Sequence, residues 1–217
     1  YRRSFTIGRG WHSHRVVLHI GGAESVHAVY LNDVLVGYGT DSRLPSEYDI
    51  TEHLQAGANH LAIVVMRYSA LSYVEDQDQW WMAGLHRSVF VEARPLVHVA
   101  DVRCTTDFEP ATGVGRVGVT TEVGFVRAPE PGWTVRATLR GPNGRTVGTA
   151  HTAAVPDRFE SPYVFRGHVV TARWDVPRAA AWSAESPSRY EATVELLSPS
   201  GKVVEATTQR IGIRRVE

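Results

Sequence analysis

Lysine is nearly absent from the 217 residues: Lys202 is the only one among 23 basic side chains. We read that skew as genomic base composition, which carries no information about partners. Cysteine is as scarce. Cys104 stands alone, which excludes an intramolecular disulfide framework and fits a reducing, cytoplasmic compartment. Net charge is missing too, since 23 basic residues meet 23 acidic ones. A dedicated nucleic-acid or membrane-surface binder needs a basic excess, so neither partner is expected. The longest strongly apolar run, Leu61–Met66, falls far short of the ~20 residues that span a bilayer. No charged-then-apolar leader opens the chain, which starts at Tyr1 inside a strand pattern. We therefore expect a piece of a larger polypeptide. Among catalytic signatures there is no Gly-x-Ser-x-Gly elbow, no phosphate-binding glycine loop and no His-Glu-x-x-His pair.

Helical periodicity is also scarce, and short stretches of alternating apolar residues take its place. Alternation is what a half-buried strand requires, because successive side chains point to opposite faces. Ser25–Leu31 puts Val26, Ala28 and Tyr30 on one face, and Tyr190–Leu197 does the same with Tyr190, Ala192, Val194 and Leu196. Asn59–Tyr68 carries Leu-Ala-Ile-Val-Val-Met, apolar on both sides, and reads as a central strand covered on both faces. Further strands are expected at Tyr1–Ile7, Val16–Ile20, Val34–Tyr38, Ser88–Ala93, Val97–Thr105, Arg116–Val126, Thr134–Arg140, Thr146–Ala153, His168–Trp174 and Lys202–Ile211. Pro142-Asn143-Gly144 and Ser198-Pro199-Ser200-Gly201 read as turns, and Leu31-Asn32-Asp33-Val34 as a tight hairpin. Glu52–Gly57 reads as one helical turn ended by glycine. Short strands separated by Gly/Pro turns define an all-β protein. There are too many for one ordinary sandwich, and Pro95 interrupts the pattern. We expect two β-sandwiches, roughly 1–95 and 96–217.

Candidate chemistry is sparse. His12-Ser13-His14 would place two imidazoles on one face of an extended chain, but no third ligand is near in sequence, so surface histidines are expected. Cys104 occupies an apolar strand position and reads as a small buried hydrophobe. Two segments differ from the rest. In the first, residues 37–50, glycines permit close backbone approach and Asp41 sits in an irregular loop, where a scaffold can aim a carboxylate at a ligand. From the residues alone, Asp41, Arg43 and Glu47 serve equally as turn caps and loop ion pairs. In the second, residues 73–87, Glu75, Asp76 and Asp78 lie beside Trp80, Trp81 and Met82. Carboxylates beside tryptophans suit glycoside hydrolysis, which uses two carboxyl groups flanking one bond. These three are packed too tightly to face each other across a substrate, so a loop-ordering or docking role is expected. The tryptophans suggest an apolar surface that another element covers.

Both segments carry a resemblance. Gly-Tyr-Gly-Thr-Asp-Ser-Arg-Leu-Pro-Ser-Glu-Tyr-Asp (37–49), followed by Glu-Asp-Gln-Asp-Gln-Trp-Trp-Met-Ala-Gly-Leu-His-Arg (75–87), closely resembles the large bacterial β-galactosidases of glycoside hydrolase family two. Trp182-Ser183-Ala184-Glu185-Ser186-Pro187 and Ile211-Gly212-Ile213-Arg214 resemble later stretches of the same family. The family's usual Asn-Gly turn is Asn32-Asp33 here, and its Trp-Arg-Met-Ser-Gly-Ile-Phe-Arg reads Trp-Trp-Met-Ala-Gly-Leu-His-Arg. The resemblance implies a jelly-roll, galactose-binding-like domain lacking its N-terminal part, then an immunoglobulin-like sandwich, with the catalytic (β/α)₈ barrel absent. It implies that Asp41 reaches into the barrel's active site, where it binds substrate and helps hold a monovalent cation. The fragment itself needs no cofactor; Na⁺, with Mg²⁺ as a second candidate, belongs to the parent. The implied partners are the missing barrel and remaining domains, a β-galactoside, and further copies of a homo-oligomeric parent. A stand-alone carbohydrate-binding module, or a piece of a β-glucuronidase or β-mannosidase, is the alternative.

Overall fold

The computed structural model describes residues 1–75, 82–156 and 167–216. The chain divides into two compact units, Tyr1–Pro95 and Leu96–Glu217. No helix among the described residues is long and apolar enough to cross a membrane.

The described residues of the first unit hold nine strands: β1 (Arg2–Thr6), β2 (Arg15–Ile20), β3 (Ala23–Glu24), β4 (Val26–Leu31), β5 (Val34–Gly39), β6 (Ser46–Asp49), β7 (Ala58–Met66), β8 (Gly84–Leu85) and β9 (Val89–Arg94). They form a four-stranded sheet in the order β1-β7-β4-β5, a three-stranded sheet β6-β2-β9, and the short pair β3-β8. Val16, Leu18 and Ile20 of β2 pack with Val29 and Leu31 of β4, Ile63 of β7 and Ile50. Each such side chain, fully buried, contributes about 1.5–3 kcal/mol. The β4-β5 hairpin turns at Asn32 and Asp33, both with positive φ (50° and 67°). Those are the dihedrals a two-residue hairpin loop needs, and Asn and Asp tolerate them. Asn32 also donates through Nδ2 to the carbonyl oxygen of His53 at 2.8 Å, tying the turn to a 3₁₀ turn at Thr51–His53.

One strand departs from expectation. β7 is central but covered on one side only: Val64 and Met66 are 52% and 53% exposed. Apolar residues on both faces of a run therefore did not mean burial on both. The Val26, Ala28, Tyr30 face of β4 is likewise the less buried one, with His27, Val29 and Leu31 turned inward. Strand β6 went unforeseen because Pro45 and three polar residues made Ser46–Asp49 read as loop.

Glu47 and Asp49 of β6 face outward and bind side chains of β2 and β9. Arg94 donates to both Glu47 oxygens, at 2.8 and 2.6 Å, and His19 Nδ1 lies 3.2 Å from the same carboxylate. The bond from Arg94, then that from His19, hold Glu47 down from the ordinary glutamate value of 4.5 to about 2. A carboxyl whose pKa is lower folded than unfolded stabilises the fold above its unfolded pKa. That contribution fades as pH falls from about 4.5 towards about 2. Glu47→Gln should therefore destabilise the chain at pH 6 by roughly 1 kcal/mol or less, as partly exposed pairs do, and by only a small part of that at pH 2. Urea titrations of both proteins at the two pH values check this; equal differences would detach Glu47 from acid stability.

The second unit holds β10 (Val97–Glu109), β11 (Val114–Phe125), β12 (Thr134–Arg140), β13 (His151–Ala154), β14 (Val169–Val176), β15 (Tyr190–Leu197) and β16 (Val203–Ile211). A three-stranded sheet β10-β11-β14 accompanies a four-stranded sheet β13-β12-β15-β16. Its core alternates along each strand: Val117 and Val119 from β11, Val135 and Leu139 from β12, Trp174 from β14, Val194 and Leu196 from β15. Trp174 Nε1 donates to the Thr149 carbonyl at 3.1 Å, so the buried indole keeps its hydrogen bond. Thr146–Ala153 was expected to be one strand, yet pairing with β12 begins only at His151. Gly148, at φ +63°, bends the chain before it, and Thr146 makes a single bridge to Arg140. Cys104 lies half-buried against this core, and burial pushes its thiol pKa up, as for an inert hydrophobe.

Candidate functional site

The loop after β5 is set by two glycines and two rings. A Cβ on Gly37 would stand 2.8 Å from Tyr48, and one on Gly39 would run into His27 and Tyr48, so only glycine lets β5 pass here. Tyr48 Oη and His27 Nε2 are 2.7 Å apart, while His27 Nδ1 is buried with no partner among the described residues. Burial lowers the His27 pKa, keeping the ring neutral at pH 7.

Beyond Gly39 the chain reaches Asp41, which is exposed. Its Oδ1 accepts the backbone N–H of Arg43 at 2.7 Å and of Leu44 at 2.8 Å. The Leu44 bond, then the Arg43 bond, hold the carboxyl below the usual aspartate range. Both bonds end on one oxygen. Oδ2 has no hydrogen bond among the described residues, so Asp41 closes a turn and still presents a charged oxygen outward. Turn cap and ligand are compatible roles.

The next residues are fastened from below. Ser42 is fully buried; its N–H donates to Glu75 Oε1 at 3.2 Å and its hydroxyl to Glu75 Oε2. The Ser42 carbonyl accepts from His86 Nε2 at 2.8 Å, and the Arg43 carbonyl from Arg87 Nη1 at 2.7 Å. Arg43 Nη1 donates to Glu24 Oε2 at 3.2 Å, and the same carboxylate accepts the Met82 N–H at 3.3 Å. The two segments singled out in the sequence therefore meet, and Glu75 orders the loop that carries Asp41. Glu47 lies apart, on β6 with Arg94. Asp76, Asp78, Trp80 and Trp81 lie outside the described residues. Met82 is 53% exposed. Glu24, Ser42 and His86 were not foreseen as members of this clamp.

Glu75→Gln keeps one acceptor oxygen and loses the charge, so one charge-assisted bond to Ser42 goes. Such a bond is worth about 1.5 kcal/mol or more, hence roughly tenfold faster amide exchange at Ser42 is expected. Hydrogen exchange of the 217-residue chain reads this directly; unchanged protection would mean His86 and Arg87 suffice.

Metal chemistry is limited. No group of three His, Cys, Asp or Glu that could hold an ion occurs among the described residues. His12 falls in a 3₁₀ turn, Arg9–Ser13, so His12 and His14 do not share one face of an extended chain. Asp41 offers a hard anionic oxygen that suits an alkali or alkaline-earth cation as one ligand among several. It cannot make a site alone.

Solved structures share this fold. A β-glucuronidase of Bifidobacterium dentium superposes with a TM-score of 0.79 at 23% identity, covering 100% of this chain and 40% of that one. One of Bacteroides uniformis gives 0.78 at 18% identity, covering 98% and 26%. At such identities the likeness concerns fold alone. Residues 1–95 match the sugar binding domain of glycosyl hydrolases family 2, and residues 97–214 match the further domain described as glycosyl hydrolases family 2. The chain belongs to glycosyl hydrolases family 2. It is 32% identical over 221 residues to a β-galactosidase of Psychromonas ingrahamii and 34% identical to one of Pectobacterium atrosepticum. In each case 100% of this chain aligns with 21% of the relative, so it spans about a fifth of their length.

Proposed function

We propose that this chain is a non-catalytic part of a β-galactosidase, a scaffold that lends Asp41 to an active site built mainly by the rest of the polypeptide. The observation that carries the reading is alignment along the whole chain, at 32% and 34% identity, with β-galactosidases. The parent would remove terminal β-D-galactose with retention, through a covalent galactosyl intermediate formed by two carboxylates outside these residues. Asp41 would bind the galactosyl group and serve as one ligand of a monovalent cation, Na⁺, with Mg²⁺ a further ion of the parent held elsewhere. The cation, when bound, would supply positive charge for the sugar's hydroxyl oxygens. The free Oδ2 and the buried clamp beneath it support that role, because a charged oxygen aimed by fixed partners needs little reordering on binding. The single cysteine supports a cytoplasmic setting, and further copies of the parent are proposed as its oligomeric partners. A β-glucuronidase parent is the second reading, raised by the solved folds at lower identity. The coding sequence beyond these residues, expressed whole and assayed on chromogenic β-galactoside and β-glucuronide, separates the two. Turnover of the galactoside is expected; preference for the glucuronide would overturn the assignment.

A further inference from the structure

We propose that His27 is an acid switch of the Asp41 loop: a proton taken up by its buried ring releases the end of β5 and opens residues 39–44. As a means of regulation it rests on the reading that Asp41 serves an active site. His27 projects inward from β4, with Gly39 of β5 opposite it on one side and Val65 of β7 on the other. It is 1% exposed. Its Nε2 lies 2.7 Å from Tyr48 Oη of β6, and the two rings meet edge to face. Its Nδ1 is buried with no hydrogen-bond partner among the described residues. Both rings lie hard against the Gly39 backbone, where a Cβ would stand 2.4 Å from His27 Cε1 and 2.9 Å from Tyr48 Oη. Asp41 comes two residues after Gly39.

A neutral imidazole tolerates this setting and an imidazolium does not. The neutral ring shares one hydrogen bond with the Tyr48 hydroxyl and leaves its other nitrogen bare. Protonation makes both nitrogens donors and puts a full charge where nothing accepts from Nδ1. Burying an unpaired charge costs far more than burying an unpaired dipole. No counter-charge stands ready. Gly39 and Val65 carry none, and Tyr48 is a phenol whose ionisation burial pushes up. Under the loop, the Glu24 and Glu75 carboxylates are bonded to Arg43 and Ser42, while His86 and Arg87 donate to its carbonyls. Burial accordingly lowers the His27 pKa, and no neighbouring charge offsets it. The opened ring takes up its proton near the ordinary value of 6.5, so closure of the loop is fully stabilised above that pH and weakens as pH falls below it. To reach water the imidazolium must leave its slot over Gly39 and part from Tyr48. β5 then loses the packing that fixes it just before Asp41. His86 differs: its Nε2–H donates to the Ser42 carbonyl whether or not the other nitrogen is protonated.

Hydrogen exchange of the 217-residue chain at pH 7 and pH 5, corrected for the intrinsic pH dependence of exchange, tests the switch. Opening of residues 39–44 should rise about tenfold or more between the two, as expected when only the opened ring is protonated. Tyr48→Phe keeps the buried imidazole and should keep the rise. His27→Phe combined with Tyr48→Phe removes both polar groups and should cut the rise to about twofold or less. An equal rise in the wild type and the double variant would assign it to other groups and overturn the proposal. Should the double variant fail to fold, the ring proton resonances of His27 in the unmodified chain decide. They should not titrate in the closed form between pH 7 and pH 5, and a titration centred near 6.5 with the loop still protected would overturn the switch. In the whole parent, the Na⁺ concentration giving half-maximal activity should climb more steeply on acidification in the wild type than in the double variant. Parallel slopes would overturn His27 as a regulator of that site. The reading of Asp41 fails separately: a loop that opens on protonation, in a parent whose kinetics ignore Asp41→Asn, keeps the switch and loses the ligand.

Discussion

Purified alone, the 217-residue chain is expected to leave a chromogenic β-galactoside at its spontaneous rate. Retaining hydrolysis needs two carboxyl groups about 5–5.5 Å apart, one kept protonated to release the leaving group and one ionised to attack. The described carboxylates near the candidate site are engaged otherwise. Glu24 is ion-paired with Arg43 at 3.2 Å, and Glu75 accepts both Ser42 donors. Asp41 stays ionised by its backbone bonds, which disqualifies it as an acid. Enzymes lower such barriers by at least ~8 kcal/mol, a factor of about 10⁶. One positioned carboxylate supplies a small share of that, so no measurable turnover should remain. Galactose release that rises in proportion to purified chain and survives repeated chromatography would refute the expectation. It would also place an acid and a nucleophile within these residues.

Local rules carried most of the fold. Thr134–Arg140 and Tyr190–Leu197 could be read to the residue because burial alternates along both strands, and alternation is a property of the sequence itself. The Asn32-Asp33 turn was legible for a similar reason, since few residues accept two successive positive φ values. What escaped depends on distant partners. Ser46–Asp49 is a strand because it pairs with β2, from Ile20 opposite Ser46 to Val17 opposite Asp49, and Tyr48 packs on the core. The outer face of β7 is exposed because no further layer covers it there, which no window around Val64 reveals. The site divides in the same way. Asp41 drew notice as a carboxylate in an irregular loop just after two glycines, and its proposed role came from resemblance. A loop-ordering role was expected of Glu75 but its partner was not legible, because Glu75 and His86 lie 33 and 44 residues from Ser42 and no local pattern links them. A buried serine beneath an acidic loop carries no sequence signal of its own.

In the whole parent, Asp41→Asn should lower kcat/KM by roughly ten- to 150-fold, the equivalent of about 1.5–3 kcal/mol for a charge-assisted contact. Asparagine keeps an Oδ1 to accept from the Arg43 and Leu44 amides, at 2.7 and 2.8 Å in the wild-type loop. The turn should therefore close as before, and Tm should barely move. What asparagine removes is the charge on the oxygen that points away from the loop. A monovalent cation held partly by that charge should bind more weakly, so the concentration of Na⁺ that restores half-maximal activity should rise. Asp41→Ala tests the other half of the argument. It removes the Oδ1 acceptor as well, leaves two backbone N–H groups to water, and should loosen residues 42–44 in hydrogen exchange where Asp41→Asn does not. Kinetics that distinguish Asn from wild type while exchange does not would separate ligand from turn cap. An Asn variant with unchanged kcat/KM and unchanged cation dependence would reduce Asp41 to its turn, and the family membership of the chain would stand without it.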